Sequence, residues 1–283
     1  MLGAGRGWAV LGSARLGSAS VHDLPGLFPT HDYAWNVTAP HAKVLIIMPA
    51  YNEQGVVGQV AAETLNALPG VDVLVVSDGS RDGTAAEARA AGALVLELPV
   101  NLGVGGAMRA GFKFALRGGY DVAVQVDADG QHNPLDVPRL VKQLDEHDLV
   151  IGARFAGVGD YSVSGPRKWA MKFLSGVLSR TGGVRLTDTT SGFKAVGPRA
   201  LELFAEEFPA EYLGDTIEAL VIAQRAGLRI CQVPVTMRPR AGGVPSQGGW
   251  KLTVYLVRAI LALALAFLRP SPKLTPMLEE TTA

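Results

Sequence analysis

The chain has 283 residues, 48% hydrophobic and 18% charged, with 26 basic residues set against 26 acidic ones. That size suits one sizeable globular domain, alone or with attachments, and a formal net charge of zero argues against a broad nucleic-acid-binding surface while leaving room for a local basic pocket. A single cysteine, Cys231, excludes an internal disulfide framework and a cysteine-rich zinc site, and fits a reducing compartment.

Residues 1–40 are rich in Gly, Ala and Ser and show no sustained period; they read as a poorly ordered arm, a weak targeting segment or a misassigned start. The apolar run at 8–11 is too short for a signal-peptide core. From Lys43 the pattern changes. Apolar runs at 44–48, 71–76, 93–98, 122–126 and 149–152 read as strands. Helical patterns fill the gaps at 56–68, from Thr84, at 105–116 and at 134–145, the last opened by Asn133 as cap and Pro134 in the first turn. Strands that recur about every 20 to 30 residues with one helix between them form βαβ units and a mainly parallel, Rossmann-like sheet flanked by helices.

After Gly152 the alternation stops. Residues 157–165 form a glycine-rich connection, 167–181 are basic with a helical pattern, and 188–194 lead into a short strand-like run. Residues 215–226 read as a helix that carries Asp215 and Glu218 on one face. Residues 228–237 read as a strand that includes Cys231, which places that thiol in the core. The apolar stretch that opens at Leu252 and closes at Leu268 is interrupted by Arg258 and preceded by Lys251. It reads as an amphipathic helix, within 247–270, that lies on a membrane surface or packs on the domain rather than spanning a bilayer. Residues 271–283 are a tail.

In parallel sheets ligands bind beyond the carboxyl ends of the strands, and the polar residues of this chain gather there. Pro49, Ala50, Tyr51, Asn52 and Glu53 follow the first strand, Asp78 to Ser80 the second, and the glycine-rich 101–106, with Gly105, the third; Arg154 follows the fifth. The fourth strand runs into Asp127, Ala128, Asp129, Gly130, Gln131 and His132. Acids crowded at the end of a buried strand repel each other and lose hydration unless something positive sits there. Asp127, Asp129 and the amide oxygen of Gln131 supply the oxygen ligands that a hard divalent cation prefers, and a cation with open positions would in turn hold a diphosphate. Taken alone, each loop also reads as a helix entry, a cap or a permissive turn.

With these residues in hand, the chain resembles the family 2 inverting glycosyltransferases of GT-A fold, and within them the dolichyl- or polyprenyl-phosphate sugar transferases. The likeness covers roughly residues 43–246, so a GT-A domain is expected over 41–246. It rests on PAYNE at 49–53, SDGSRDGT at 77–84, NLGVGGAMRAGF at 101–112, DADGQH at 127–132, GAR at 152–154, DTTSGF at 188–193 and VPVTMRPRAGG at 233–243. The resemblance implies that Pro49, Ala50, Tyr51 and Glu53 line a nucleotide pocket and that Asp78 meets the base or ribose. It also places Asp127 and Ala128 along the nucleotide-sugar, and Asp129 and Gln131 on Mg2+ or Mn2+ against the diphosphate. Arg240 faces phosphate, and Asp188 and Glu218 stand on the acceptor side. Ser77, Val104 and Lys194 depart from the usual aspartate, lysine and arginine of the family.

The expected reaction moves a hexose from a GDP-, UDP- or dTDP-sugar to a lipid phosphate or other acceptor, in the cytoplasm, with peripheral contact at the inner face of the membrane through the Leu252 stretch. An anionic lipid-phosphate acceptor needs no strong base; a hydroxyl acceptor does, and Asp188 is the first candidate for it. Three other readings remain at this stage. One is a phosphotransferase with Asp127 as nucleophile, another a dinucleotide enzyme read from Gly103 and Gly105, although Met108 holds the third glycine position, and the third a non-catalytic nucleotide-sugar-binding protein.

Overall fold

The computed structural model describes residues 42–154, 175, 176, 178–180, 186–210 and 215–240, all within one compact unit, His31–Ala283. The expected N-terminal arm, the 157–165 connection, most of the 167–181 helix, the 247–270 helix and the 271–283 tail lie outside the described residues.

Seven strands form one sheet: β1 Val44–Ala50, β2 Asp72–Asp78, β3 Leu94–Leu98, β4 Val122–Gln125, β5 Leu149–Ala153, β6 Lys194–Val196 and β7 Ile230–Pro234, in the spatial order β3-β2-β1-β4-β6-β5-β7. All pairings are parallel except those of β6, which runs against both β4 and β5. The helices are α1 Val57–Ala67, α2 Thr84–Ala90, α3 Gly103–Arg117, α4 Val137–Lys142, α5 Pro198–Glu207 and α6 Asp215–Arg225.

The strands read as continuous apolar runs because both faces of the sheet are covered. Side chains alternate across β1. Leu45 and Ile47 enter a layer with Met108 and Phe112 of α3, Leu201 and Phe204 of α5 and Leu220 of α6. Val44, Ile46 and Met48 enter the opposite layer with Val57 and Val60 of α1, Ala88 of α2 and Leu140 of α4. Gly111 lets α3 come down on the sheet, since a Cβ there would lie 2.6 Å from Ile47 Cγ2. Phe112 anchors the first layer with Phe204 and Phe208, ring centroids 5.6 and 5.1 Å away.

The structure differs from the sequence expectation in several places. The helix expected over 134–145 is α4 flanked by 3-10 turns, Pro134–Asp136 and Gln143–Asp145; Pro134 and Pro138 each lack the N–H that a continuous helix would use. The second strand extends through Ser77 and Asp78, whose backbones pair with Ala50 and Leu98. The last strand is shorter than 228–237 because its pairing with β5 ends at Pro234. Among the described residues no helix is long and apolar enough to cross a membrane.

The reversal of β6 shapes the site. The strands β1, β2, β3, β4, β5 and β7 all present their carboxyl ends to one rim, and β6 presents its amino end there. The segment 188–193, which leads into β6, therefore reaches the same rim as the loops after β1 to β5.

Candidate active site

The loops after β1 and β2 are laced together by hydrogen bonds between backbone and short polar side chains. Asn52 N–H donates to Ser80 Oγ (3.1 Å), Asn52 Oδ1 accepts from Arg81 N–H (2.9 Å), and Glu53 N–H donates to Thr84 Oγ1 (2.9 Å). Gln54 N–H donates to Asp82 (3.2 Å), and Gly55 N–H to Glu87 (2.7 Å). Asn52 takes φ of 52° to make this turn, a conformation that asparagine tolerates better than most residues. Ala50 is buried, while Tyr51 stands 49% exposed at the rim. Glu53 has a buried Oε2 that meets no hydrogen-bond partner among the described residues. Burial pushes its carboxyl above the ordinary value; nearby Arg240 opposes that rise, while Asp129 and Asp82 add to it.

Asp78 is buried, and its Oδ1 accepts the Leu102 N–H at 2.7 Å. Burial raises its carboxyl above the usual range despite the N–H groups of Leu102 and Gly103. Gly79, at φ +68°, lies so close under the next loop that a Cβ would come 2.6 Å from the Val100 carbonyl carbon. Asp78 thus ties the glycine-rich loop to β2 from below. Gly105 is buried inside the first turn of α3, and Leu102 and Val104 are exposed beside it.

At the centre, β4 ends at Gln125, and Asp127, Ala128 and Asp129 follow. Ala128 is buried. Asp129 is also buried, and its two oxygens have different partners: Oδ1 accepts the Gln131 N–H at 2.9 Å, and Oδ2 pairs with Arg240 Nη2 at 2.9 Å. The Asp127 side chain is 38% exposed. Gln125 Nε2 donates to its Oδ1 at 3.2 Å, and His132 Nε2 faces its Oδ2 at 3.6 Å. The segment after β7 is strapped across this loop. Arg139 donates to the Pro234 carbonyl, Arg238 N–H donates to the Gln131 carbonyl at 2.9 Å, and the Arg238 guanidinium bridges Glu63 and Asn133. Arg240 stands two residues further along.

Arg154, after β5, grips Asp188 with Nε to Oδ2 at 2.7 Å, Nη2 to Oδ1 at 2.9 Å and its own N–H to Oδ2 at 3.1 Å; Thr190 Oγ1 accepts from the same Nη2 at 2.7 Å. Asp188 is fully buried. Burial alone would raise its carboxyl, but the hydrogen bonds and charge of Arg154, with the N–H groups of Arg154 and Thr190, outweigh it and hold the group below the usual carboxylate range. A carboxylate held this way is a weak base, so the expectation that Asp188 takes a proton from a hydroxyl acceptor does not suit its place in the fold. Glu218 is buried in α6, beside Ile217, Ala219 and Leu220 of the core.

The structure therefore brings Glu53, Asp129, Gln131 and Arg240 into one cluster with Asp127 beside it, and sets Arg154 and Asp188 in a separate pair. Among the described residues no group of three or more His, Cys, Asp or Glu side chains gathers as a metal cage. The donor set still fits a hard divalent cation with open positions: Asp127 is half-exposed and, among the described residues, paired with no arginine or lysine, and Asp129 is balanced by Arg240. Gln125, His132, Gly192, Phe193 and Arg238 carry no expected role in the sequence and join the site only in the fold. His132 and Gly192 were visible inside DADGQH and DTTSGF; nothing in the order of residues says that these two motifs touch.

A family model described as glycosyl transferase family 2 matches residues 45–202. The chain is 38% identical over 220 residues to an undecaprenyl-phosphate mannosyltransferase of Micrococcus luteus, a match covering 73% of this chain and 88% of that protein. It is 33% identical over 226 residues to a polyprenol monophosphomannose synthase of Mycolicibacterium smegmatis, covering 74% and 83%. In fold it is similar to glucosyl-3-phosphoglycerate synthase of Mycobacterium tuberculosis solved with uridine diphosphate, with a TM-score of 0.64 at 23% identity over 85% and 87% of the two chains. That fold is GT-A. The sheet order and the sequence matches agree: the chain belongs to glycosyl transferase family 2, is a glycosyltransferase, and resembles the polyprenyl-phosphate sugar transferases of that family.

Proposed function

We propose that the protein transfers a hexose from a nucleoside-diphosphate sugar to a polyprenyl phosphate, with inversion at the anomeric carbon and with Mg2+ or Mn2+ at the rim. The observation that carries this reading is the state of Asp127: half-exposed, at the carboxyl end of a central strand, next to a second carboxylate that is met by Arg240. Among the described residues no arginine or lysine pairs with this carboxylate, and such a charge favours a ligand that brings its own cation.

Asp127, Asp129 and the Gln131 amide would hold the ion, which when bound neutralises charge that develops on the leaving diphosphate. Pro49, Ala50, Tyr51 and Glu53 line the nucleotide side, with Asp78 and Gly105 shaping the loop beneath the base and ribose. Ala128 lies along the sugar nucleotide. Arg240 turns from Asp129 to phosphate, and Arg154, held by Asp188, stands on the nucleotide-sugar side. An anionic oxygen of the lipid phosphate attacks the anomeric carbon as the bond to the diphosphate oxygen breaks. The products are a glycosyl phosphodiester of the lipid and a nucleoside diphosphate. No proton has to be removed from such an acceptor, which agrees with Asp188 being an anchor. Holding acceptor and donor in line supplies much of the rate. Glu218 belongs to the acceptor side, beneath the rim. The likeness to the Micrococcus undecaprenyl-phosphate mannosyltransferase and the Mycolicibacterium polyprenol monophosphomannose synthase supports the lipid-phosphate acceptor and points to mannose.

The test is calorimetry with GDP-mannose and UDP-glucose, each with and without Mn2+, followed by transfer to a short polyprenyl phosphate and determination of the product anomer. Wild-type protein should bind one donor only with metal, and Asp129→Ala should abolish that binding. Donor binding that is indifferent to both metal and Asp129 removes the central role assigned to the acids.

A further inference from the structure

The Asp127 carboxylate rests in a cradle formed by Gln125 at the end of β4, His132 of its own loop and Gly192 of the 188–193 segment. Its backbone N–H donates to His132 Nδ1 at 3.0 Å. That bond occupies the Nδ1 lone pair, so the neutral ring carries its proton on Nε2, the nitrogen that faces Asp127 Oδ2 at 3.6 Å. The imidazole is 3% exposed and stacks on Phe193, with ring centroids 4.7 Å apart and planes 14° from parallel. Phe193 is fixed in turn by β5: its carbonyl accepts the Gly152 N–H at 2.8 Å, and a Cβ on Gly152 would lie 2.9 Å from its ring. On the other side Gln125 Nε2 reaches Oδ1 at 3.2 Å. Gly192 closes the floor, since a Cβ there would come 3.0 Å from Asp127 Oδ2 and 3.0 Å from Gln125 Nε2.

We infer that His132 is a positioning residue for Asp127: backed by Phe193, it fixes the backbone and the carboxylate direction of Asp127 so that the group meets a divalent cation and diphosphate without first being ordered. This rests on the proposed function. The geometry favours it over simple core filling because both ring nitrogens are directed at one residue, and that residue is the half-exposed acid. Asp129 takes its orientation from the Gln131 N–H and Arg240, so the two acids are oriented by separate means. Groups that orient a ligating side chain typically change metal affinity about 10- to 100-fold when removed.

The experiment is a titration of the full chain with Mn2+ plus GDP and, separately, Mn2+ plus UDP, read by calorimetry and by the electron paramagnetic resonance of free Mn2+, with thermal melting alongside. His132→Phe keeps the stack and loses both nitrogens; it should weaken Mn2+-nucleotide binding roughly tenfold or more. His132→Asn, which returns an acceptor for the Asp127 N–H, should recover part of that loss, and it carries the test if the Phe variant melts early. In an Asp127→Asn background, His132→Phe should add no further loss. Wild-type affinity in His132→Phe overturns the inference, as does a loss of the same size with and without the Asp127 carboxylate, which is the mark of a purely structural ring. Wild-type protein that binds neither nucleotide with Mn2+ overturns the proposed function instead.

Discussion

Asp127 and Asp188 reach the same rim, one just after β4 and the other just ahead of β6, and their surroundings are opposite. Asp188 is sealed from solvent, and both of its oxygens are taken by Arg154. Asp127 keeps a side chain 38% exposed, with an amide and an imidazole as neighbours. A charge compensated inside the fold contributes to the integrity of the rim; a charge left to neutral donors is available to a ligand. The two carboxylates therefore differ in what compensates them, although they stand at one rim.

The comparison is most exposed to the removal of one cation. Arg154→Ala leaves Asp188 buried and uncompensated, and should cost about 3–5 kcal/mol of unfolding free energy in urea. Asp127→Ala in metal-free buffer should cost less, about 1–2 kcal/mol, because among the described residues the donors that lose a partner are neutral. Equal costs would erase the distinction. Gly192→Ala comes next: the added carbon meets Asp127 and Gln125 at 3.0 Å, so overpacking of about 1–3 kcal/mol is expected, together with weaker Mn2+-nucleotide binding in calorimetry.

Acid titration sharpens the same contrast. The carboxyl of Asp188 is depressed in the folded state, so its contribution to stability is present in full above the ordinary carboxylate range and is lost as pH falls through the folded value. Asp188→Asn should flatten the acid limb of a stability-pH curve. Glu53 and Asp78, whose carboxyls are raised by burial, act in the opposite sense and favour the folded state more as pH falls into their raised range. Smallest of all is Arg89→Ala. Arg89 pairs with Glu97 on the surface, with side chains 53% and 55% exposed, and its loss should change stability by under about 1 kcal/mol in the same urea series.

The parallel half of the fold was legible in the chain. Strands β1, β2, β4 and β5 are buried along their whole length, so apolar runs and helical periods alternate in plain order, and β1 to β5 lie within a few residues of their expected places. The rule that ligands gather at strand carboxyl ends places the loops around Glu53, Asp78, Gly105, Asp127 and Arg154 on one rim from the order of residues alone. The reversed strand β6 was harder to place: three residues cannot announce their direction, and its partners β4 and β5 lie far away in sequence. With β6 unplaced, DTTSGF had no location, and Asp188 looked like a candidate base instead of the anion that holds Arg154.

What the residues alone determined is the chemistry on offer: two acids and an amide after a buried strand, a glycine-rich loop, and arginines at 154 and 240. Local period and composition carry that information, because they depend on neighbours in the chain. What the tertiary structure decided is which charge is neutralised. Arg154 met Asp188, Arg240 met Asp129, and Asp127 was left between Gln125 and His132, because hydrogen-bond geometry and burial depend on segments that approach only when the sheet closes around β6.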